Sequence, residues 1–133
     1  MGRLPLLSER PRAVQLTVPV ALPLIGGFLT GWTLAGSAGL WVVANVVAIL
    51  GGVAAGFDHD GAAAGARRGA LGGLLFGLAL VLADATVVGH RAATLPKPAI
   101  LLAVLTTVVG SLLGALGGTL RHRAMHERAA PSA

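Results

Sequence analysis

The chain has 133 residues, of which 55% are hydrophobic and only 11% are charged, with a formal net charge of +5 and no cysteine. A soluble domain carries about 25% charged residues, so this composition excludes an ordinary soluble domain. The lack of cysteine excludes a disulfide scaffold, a zinc–thiolate site and a thiol nucleophile. The basic residues lie at the ends of apolar segments rather than on one surface. This placement indicates topology signals and contact with the lipid bilayer, and it argues against nucleic-acid binding.

The first two apolar segments share an uncharged run of 45 residues, 13–57. A membrane-spanning helix needs about 20 apolar residues, so this run predicts two spans. We place them at 13–35 and 40–57, on either side of the turn-forming residues 36–39. The first span contains two prolines, which predict a kink. It is longer than the roughly 7–15 apolar residues of a cleavable signal, so we expect it to be retained.

Two further apolar segments follow at 69–89 and 99–120. The Asp-His-Asp sequence at 58–60 supplies helix N-cap candidates ahead of the third span. The pattern therefore predicts an all-α membrane protein, with four transmembrane helices arranged as two hairpins. They form one transmembrane domain between an N-terminal segment, 1–12, and a polar tail, 121–133.

The distribution of arginine and lysine predicts that both termini are cytoplasmic. Two of these residues, Arg91 and Lys97, lie in the loop between the third and fourth spans. The other eight lie in the N-terminal segment, next to the second loop and in the tail. The positive-inside rule places the side that is richer in arginine and lysine in the cytoplasm. The eight are Arg3, Arg10, Arg12, Arg67, Arg68, Arg121, Arg123 and Arg128.

The most regular sequence in the chain is GAAAGARRGALGGLLFG, which has glycine at every fourth position from Gly61 to Gly77. It matches neither a dinucleotide-binding loop nor a P-loop, and no strand precedes it. In lipid, glycine allows helix backbones to approach closely, so we interpret the run as a packing surface. Positions four residues apart drift by about 40° per step, or roughly 160° over the whole run, too far for one straight partner. We therefore expect only Gly69, Gly73 and Gly77 to form the packing face, with Gly61 and Gly65 at or beyond the cytoplasmic interface.

Three spans each carry one polar residue in line with two glycines, seven and eleven positions away. The polar residues are Asn45, Asp84 and Thr107, and their order relative to the glycines reverses in the third span, as an antiparallel neighbour requires. We expect these three stripes to pack together and the polar residues to form an intramembrane cluster in the outer half of the bilayer. The first span lacks the pattern, so we expect it to pack at the periphery or against a second copy. The predicted packing residues are Gly52, Gly56, Gly69, Gly73, Gly77, Gly110, Gly114 and Gly118.

Asp84 is the one acidic residue within a predicted span. A carboxylate in a membrane is costly and often functional, but Asp84 lies only about five residues from the outer helix end, where water reduces that cost. One interpretation is a structural group that ties helices together and contacts Arg91. The other is a proton or cation site. We favour the first, because a proton relay normally contains more than one ionisable group.

The remaining polar residues predict neither a metal site nor an enzyme. His122 and His126 are four residues apart and share a helix face, but zinc needs at least a third ligand. His59 lies between two aspartates, where a solvated loop is the favoured interpretation. No serine has a histidine base within a span, so no catalytic triad is predicted. We expect no catalytic residue, cofactor or metal.

Residues 50–77 and 108–123 resemble small, glycine-rich, four-span prokaryotic integral membrane proteins of unknown function, found in haloarchaea and actinobacteria. The resemblance covers about half of the chain and consists of packing motifs. It implies a multi-pass protein of a prokaryotic inner membrane and no particular activity. The matching residues are Gly51, Gly52, Ala55, Gly56 and Phe57, followed by Gly65, Gly69, Ala70 and Gly73.

The sequence as a whole favours a helix-packing scaffold or interaction subunit, which we expect to self-associate through the glycine stripes or to bind another membrane protein. The alternative is a small channel, proton leak or holin-like permeation protein that uses Asp84.

Overall fold

The computed structural model describes residues 9–86, 94–95 and 97–129, and within them it contains four α-helices and no strand. All four helices are long and apolar enough to cross a membrane. This confirms the all-α, four-span architecture. The helices are α1 (Arg12–Trp32), α2 (Ala38–Phe57), α3 (Ala62–Thr86) and α4 (Ala99–Ala129), with a short 3-10 turn at Thr33–Ala35 between α1 and α2.

α3 begins at Ala62, seven residues before the predicted start of the third span. Gly61 precedes it with a positive φ of 84°, a conformation that suits glycine, and its carbonyl accepts the N–H of Gly65 at 3.2 Å. The predicted end of the span, residues 87–89, lies outside the described residues. A helix can therefore extend beyond the apolar segment that reveals it.

α4 extends nine residues beyond the predicted end of the fourth span, to Ala129. The added segment, RHRAMHERA, contains arginine, alanine, methionine and glutamate, which are good helix formers, while its many charged and histidine side chains keep it from being apolar overall. Hydropathy alone could not predict this extension, because it measures membrane preference rather than helix propensity.

The order of the helices in space differs from their order in the chain. α3 and α4 form a central pair; α1 packs on α3, and α2 packs mainly on α4. α1 and α2 are joined by a short turn but contact each other little. The result is a row in the order α1, α3, α4, α2, in which the helices of the first hairpin lie on opposite flanks.

Few side chains are buried, as expected for helices that face lipid. Among the described residues, the buried apolar side chains belong mostly to alanine and leucine, and Leu34 is the largest that is fully enclosed. Long apolar side chains on all four helices are exposed, for example Leu16 and Leu112. In lipid these side chains lose nothing by exposure, so backbone packing determines which helix faces meet.

Candidate functional site

Glycines bring the backbones of α3 and α4 into direct contact over most of their length. A side chain at Gly69 would overlap the carbonyl oxygen of Gly110, and one at Gly73 would overlap that of Thr106. Neither position can hold any other residue unless the helices move apart. We call this contact the glycine seam; it comprises Gly65, Gly69, Gly73 and Gly77 on α3 with Gly110, Gly114 and Gly118 on α4.

The seam begins closer to the start of α3 than the sequence suggested. Gly65 is buried against Gly114, and a side chain at Gly118 would overlap the carbonyl oxygen of Gly61. The expected separation of the run into an outer piece and a packing piece is therefore not what the contacts show. Although the glycines drift around the surface of α3, Gly65, Gly69, Gly73 and Gly77 all contact α4.

Gly114 lies at the junction of three helices. Its carbonyl oxygen occupies the space that a side chain would need at Gly56 on α2 and also at Gly65 on α3. The predicted packing residue Gly52 lies nearby on α2, where an added methyl group would meet the Leu113 side chain at 3.2 Å. Spans two, three and four thus meet at the end of the bundle that carries the α2–α3 loop.

The sequence did not reveal two further glycine contacts, one between α4 and α2 and one between α1 and α3. Gly117 packs against the backbone of α2 at Val53, while its neighbour Gly118 packs against α3. On α1, a side chain at Gly27 would overlap the backbone of Phe76, so α1 packs on α3 within the same chain. Adjacent glycines lie about 100° apart on a helix, so a Gly-Gly pair is the signal that could have revealed two packing faces.

The predicted polar residues do not all lie at one height in the bundle. Thr107 lies beside Gly73, which precedes Asp84 by eleven residues, or about 16 Å along the axis of α3. The Thr107 hydroxyl donates to the Ala103 carbonyl at 2.6 Å, and the Asn45 side-chain amide donates to its own helix. The structure therefore does not bring Asp84 and Thr107 together. Seven- and eleven-residue spacings predict a shared face, but the antiparallel register decides which residues lie opposite each other.

Asp84 instead lines a small pocket of about 220 Å³ at the end of the α3–α4 pair. The pocket has an acidic side, Asp84, and a basic residue in its lining, Lys97, while Leu102 supplies part of its apolar wall. Arg91, the expected partner of Asp84, lies outside the described residues. The arrangement offers room for a few water molecules or a small ligand at the membrane surface.

The opposite end of the bundle is held by Arg121. Its side chain is buried, its guanidinium lies 5.8 Å from the centre of the Phe57 ring, and its Nη1 donates to the Phe57 carbonyl at 3.1 Å. Phe57 is the last residue of α2, where free carbonyls and the helix dipole both favour a cation. Arg121 therefore fixes the end of α2 to α4.

A second charged group links α1 to the turn between α2 and α3. Arg10 Nη2 lies 3.8 Å from Asp58 Oδ1, and Asp58 also interacts electrostatically with Arg68. The Arg68 guanidinium extends across Gly72, where an added side chain would meet its Nη1 at 2.9 Å and Pro23 of α1 at 3.6 Å. Asp58 thus pairs with Arg10, while the Arg68 guanidinium lies beside Gly72, where α3 faces Pro23 of α1.

The histidines form a contact but no metal centre in the part of the chain that the structure describes. His122 Nδ1 lies 3.2 Å from Asp60 Oδ1, and the His122 and His126 rings meet edge to face with centroids 4.3 Å apart. His59, just after α2, has its Nδ1 3.2 Å from the carbonyl oxygen of Ala55 in that helix. Within the described ranges, no group of three or more histidine and acidic side chains is placed to hold a metal ion.

The chain matches no protein-family model, no curated protein and no solved structure.

Proposed function

We propose that the protein is a scaffold or interaction subunit of a prokaryotic inner membrane, with both termini in the cytoplasm. The observation that carries this proposal is the open arrangement of the helices. The central pair is locked by the glycine seam, while only 6% of the most apolar part of α2 is buried, compared with 28% for α3. A closely packed central pair, flanked by helices whose outer faces are exposed, suits a protein whose role is to contact other membrane helices.

Self-association requires a surface other than the glycine seam, because the seam is already occupied within one chain. The exposed face of α2 is the better surface. It carries Gly51, the neighbour of Gly52. Apart from the nearby backbone of α2 itself, no atom lies within 4 Å of the position that a Gly51 side chain would occupy. Gly51 is flanked by exposed Val47 and Leu50. Close approach of a second α2 at this glycine would supply the van der Waals contact that associates helices in lipid.

Subunit counting after reconstitution at increasing lipid-to-protein ratios tests this proposal. We expect wild-type oligomers that persist on dilution in lipid and that dissociate when Gly51→Leu removes the close approach. Leu112→Ala, a change on the exposed face of α4, is the matched control and should leave the oligomer intact. A wild-type protein that is monomeric at every dilution would contradict self-association. Co-purification of a different membrane protein at fixed stoichiometry would then support the interaction-subunit form of the proposal.

The Asp84 pocket favours a second candidate function, permeation of protons or small cations. Backbone contact along the seam, from Gly61 to Gly77, leaves no room for water between α3 and α4 below the pocket. A path from Asp84 would have to follow an outer groove of the pair or an interface between copies. This restriction is why we place permeation second.

Flux into proteoliposomes separates the two functions. Permeation through Asp84 predicts a proton or potassium flux that falls in Asp84→Asn and remains in Asp60→Asn, the same change on an exposed residue outside the helices. No flux from wild-type protein with verified insertion would eliminate permeation and leave the scaffold proposal in place.

A further inference from the structure

We propose that the pocket at the end of the α3–α4 pair binds the headgroup of phosphatidylethanolamine, with the ammonium at Asp84 and the phosphate at Lys97. The chemistry that the pocket recognises is a small zwitterion with a primary ammonium and a phosphate. This site is independent of the scaffold role. A lipid bound there would occupy the Asp84 carboxylate that permeation would need.

The pocket brings an acidic and a basic side chain from different elements to one cavity. Asp84 lies in the last turn of α3, and Lys97 lies two residues before the start of α4. Both side chains line the same space of about 220 Å³, and Thr94 adds a hydroxyl group to its wall. A ligand in this space therefore meets both charges at once.

The two opposite charges favour a zwitterion. One carboxylate and one ammonium have a formal sum of zero, so a simple cation or a simple anion would be attracted by one and repelled by the other. A primary ammonium has three N–H donors for the Asp84 carboxylate, and lysine binds phosphate as a compact positive charge. Ala99, the first residue of α4, also lines the pocket, and the positive end of the helix dipole favours the phosphate on the same side as Lys97.

The size of the pocket favours the headgroup of a lipid over a whole soluble molecule. Pockets that enclose a complete small molecule measure roughly 300–1,000 Å³, and this one is smaller. It suits a ligand that places only its polar end in the cavity.

Apolar side chains continue from the pocket along both helices, toward the middle of the spans. On α3, exposed Leu78 lies about one turn before Val81, which lines the pocket. On α4, exposed Leu105 lies about one turn beyond Leu102, which also lines it. Acyl chains of a bound lipid would contact this surface, whereas soluble phosphoethanolamine has no hydrocarbon tail to place there.

Native mass spectrometry of the detergent-solubilised protein tests the proposal. Phosphatidylethanolamine, phosphatidylcholine and phosphatidylglycerol with identical acyl chains are added in equal amounts. Wild-type protein should prefer phosphatidylethanolamine. Phosphatidylglycerol has no ammonium, and the methylated ammonium of phosphatidylcholine has no N–H to donate to Asp84.

Two variants separate the two halves of the site. Asp84→Asn should reduce the preference for phosphatidylethanolamine over phosphatidylglycerol about tenfold, because a hydrogen bond between two charged groups is lost. Lys97→Gln should weaken binding of all three lipids about fivefold, the effect of one basic residue near a lipid phosphate. Asp60→Asn and Arg123→Gln make the same charge changes at exposed residues near the other end of the bundle and should alter neither quantity.

Several results would overturn the proposal. Equal binding of the three lipids by wild-type protein would show that the headgroup is not recognised. A loss of preference in Asp60→Asn as large as that in Asp84→Asn would attribute binding to net charge. Displacement of the lipid by an equal concentration of soluble phosphoethanolamine would identify a site for the free zwitterion. If Asp84→Asn fails to fold by circular dichroism, the wild-type ranking and Lys97→Gln still decide the question, because Lys97 lies outside the helices.

Discussion

The central α3–α4 pair and the flanking helices represent two ways of packing in a membrane. In the central pair, glycine lies on both sides of the contact, and the backbones of Gly69 and Gly110 meet directly. On the flanks, glycines face each other at fewer positions: Gly56 of α2 meets Gly114 of α4, but Gly52 faces the Leu113 side chain, and Gly27 of α1 faces the backbone at Phe76. Glycines repeated on both helices produce a long continuous seam, whereas fewer or one-sided glycines produce shorter contacts.

The flanks compensate for these shorter contacts with hydrogen bonds. Arg121 fixes the C-terminal end of α2, and on the α1 side the Trp32 indole Nε1 donates to the Thr86 hydroxyl at 3.3 Å. Along the described part of the seam, by contrast, the polar side chains bond within their own helix, as Thr106 and Thr107 do. This difference predicts that side-chain volume determines the stability of the α3–α4 contact. Individual polar groups should contribute measurably to the stability of the contacts that α1 and α2 make.

The largest loss of stability is expected from a substitution at Gly114, where the glycine seam and α2 meet. Gly114→Leu would place a side chain in the space of the Gly65 carbonyl, and backbone atoms cannot move aside without separating the helices. We expect destabilisation at or beyond the upper end of the roughly 1–3 kcal/mol typical of overpacking, seen as loss of folded protein. Gly51→Leu introduces the same side chain at a glycine with open space and should leave the amount of folded monomer unchanged. Detergent gel filtration with fluorescence detection measures both, and equal yields of the two variants would contradict the seam.

Arg121→Ala should release the C-terminal end of α2 from the central pair. A hydrogen bond to a charged group contributes about 1.5–3 kcal/mol, and its loss also leaves the Phe57 carbonyl without this donor. We expect a free energy of unfolding lower by that amount, measured by titration with a denaturing detergent. Arg123→Ala, an exposed arginine two residues further along α4, should change it by less than about 0.5 kcal/mol. Equal effects would indicate that charge, and not the capping contact, determines stability here.

The four spans were predictable because hydropathy and length suffice to identify a membrane helix. The helix order was not, since the chain connects α1 to α2 while packing places α1 on α3. Spacing indicated Gly69, Gly73 and Gly77 as packing positions of α3 but excluded Gly65, which packs against Gly114. The roles of Gly117 and Gly27 were not predicted, because the glycine pattern was sought on one face of each helix and was absent from α1. The location of Asp84 depended on helix register, which periodicity does not determine.

Alanine substitutions at two neighbouring glycines, Gly26 and Gly27, test the packing of α1 on α3. Gly27→Ala would place a methyl group in the space of the Phe76 backbone, so we expect a loss toward the lower end of the roughly 1–3 kcal/mol range for overpacking. At Gly26 a methyl group would meet only the Phe76 ring, at an ordinary 3.9 Å. Gly26→Ala should therefore stabilise the helix by about 0.5–1 kcal/mol. Unfolding of the two variants under identical conditions gives the comparison, and the same sign for both would show that α1 is not seated on α3 as described.

The smallest expected effect concerns the hydrogen bond between Trp32 and Thr86, which joins the C-terminal ends of α1 and α3. A double-mutant cycle with Trp32→Phe and Thr86→Val isolates it, because both variants keep a similar shape and remove the polar atoms. Side-chain hydrogen bonds in membranes average about 0.6 kcal/mol in such cycles, and we expect a coupling of that size. Thr119→Val is the control for Thr86→Val, since the Thr119 hydroxyl bonds to Ala115 of its own helix and should not couple to Trp32. Zero coupling between Trp32 and Thr86 would mean that α1 is held by its glycines alone, and the two kinds of packing would then differ in the length of the contact and not in its chemistry.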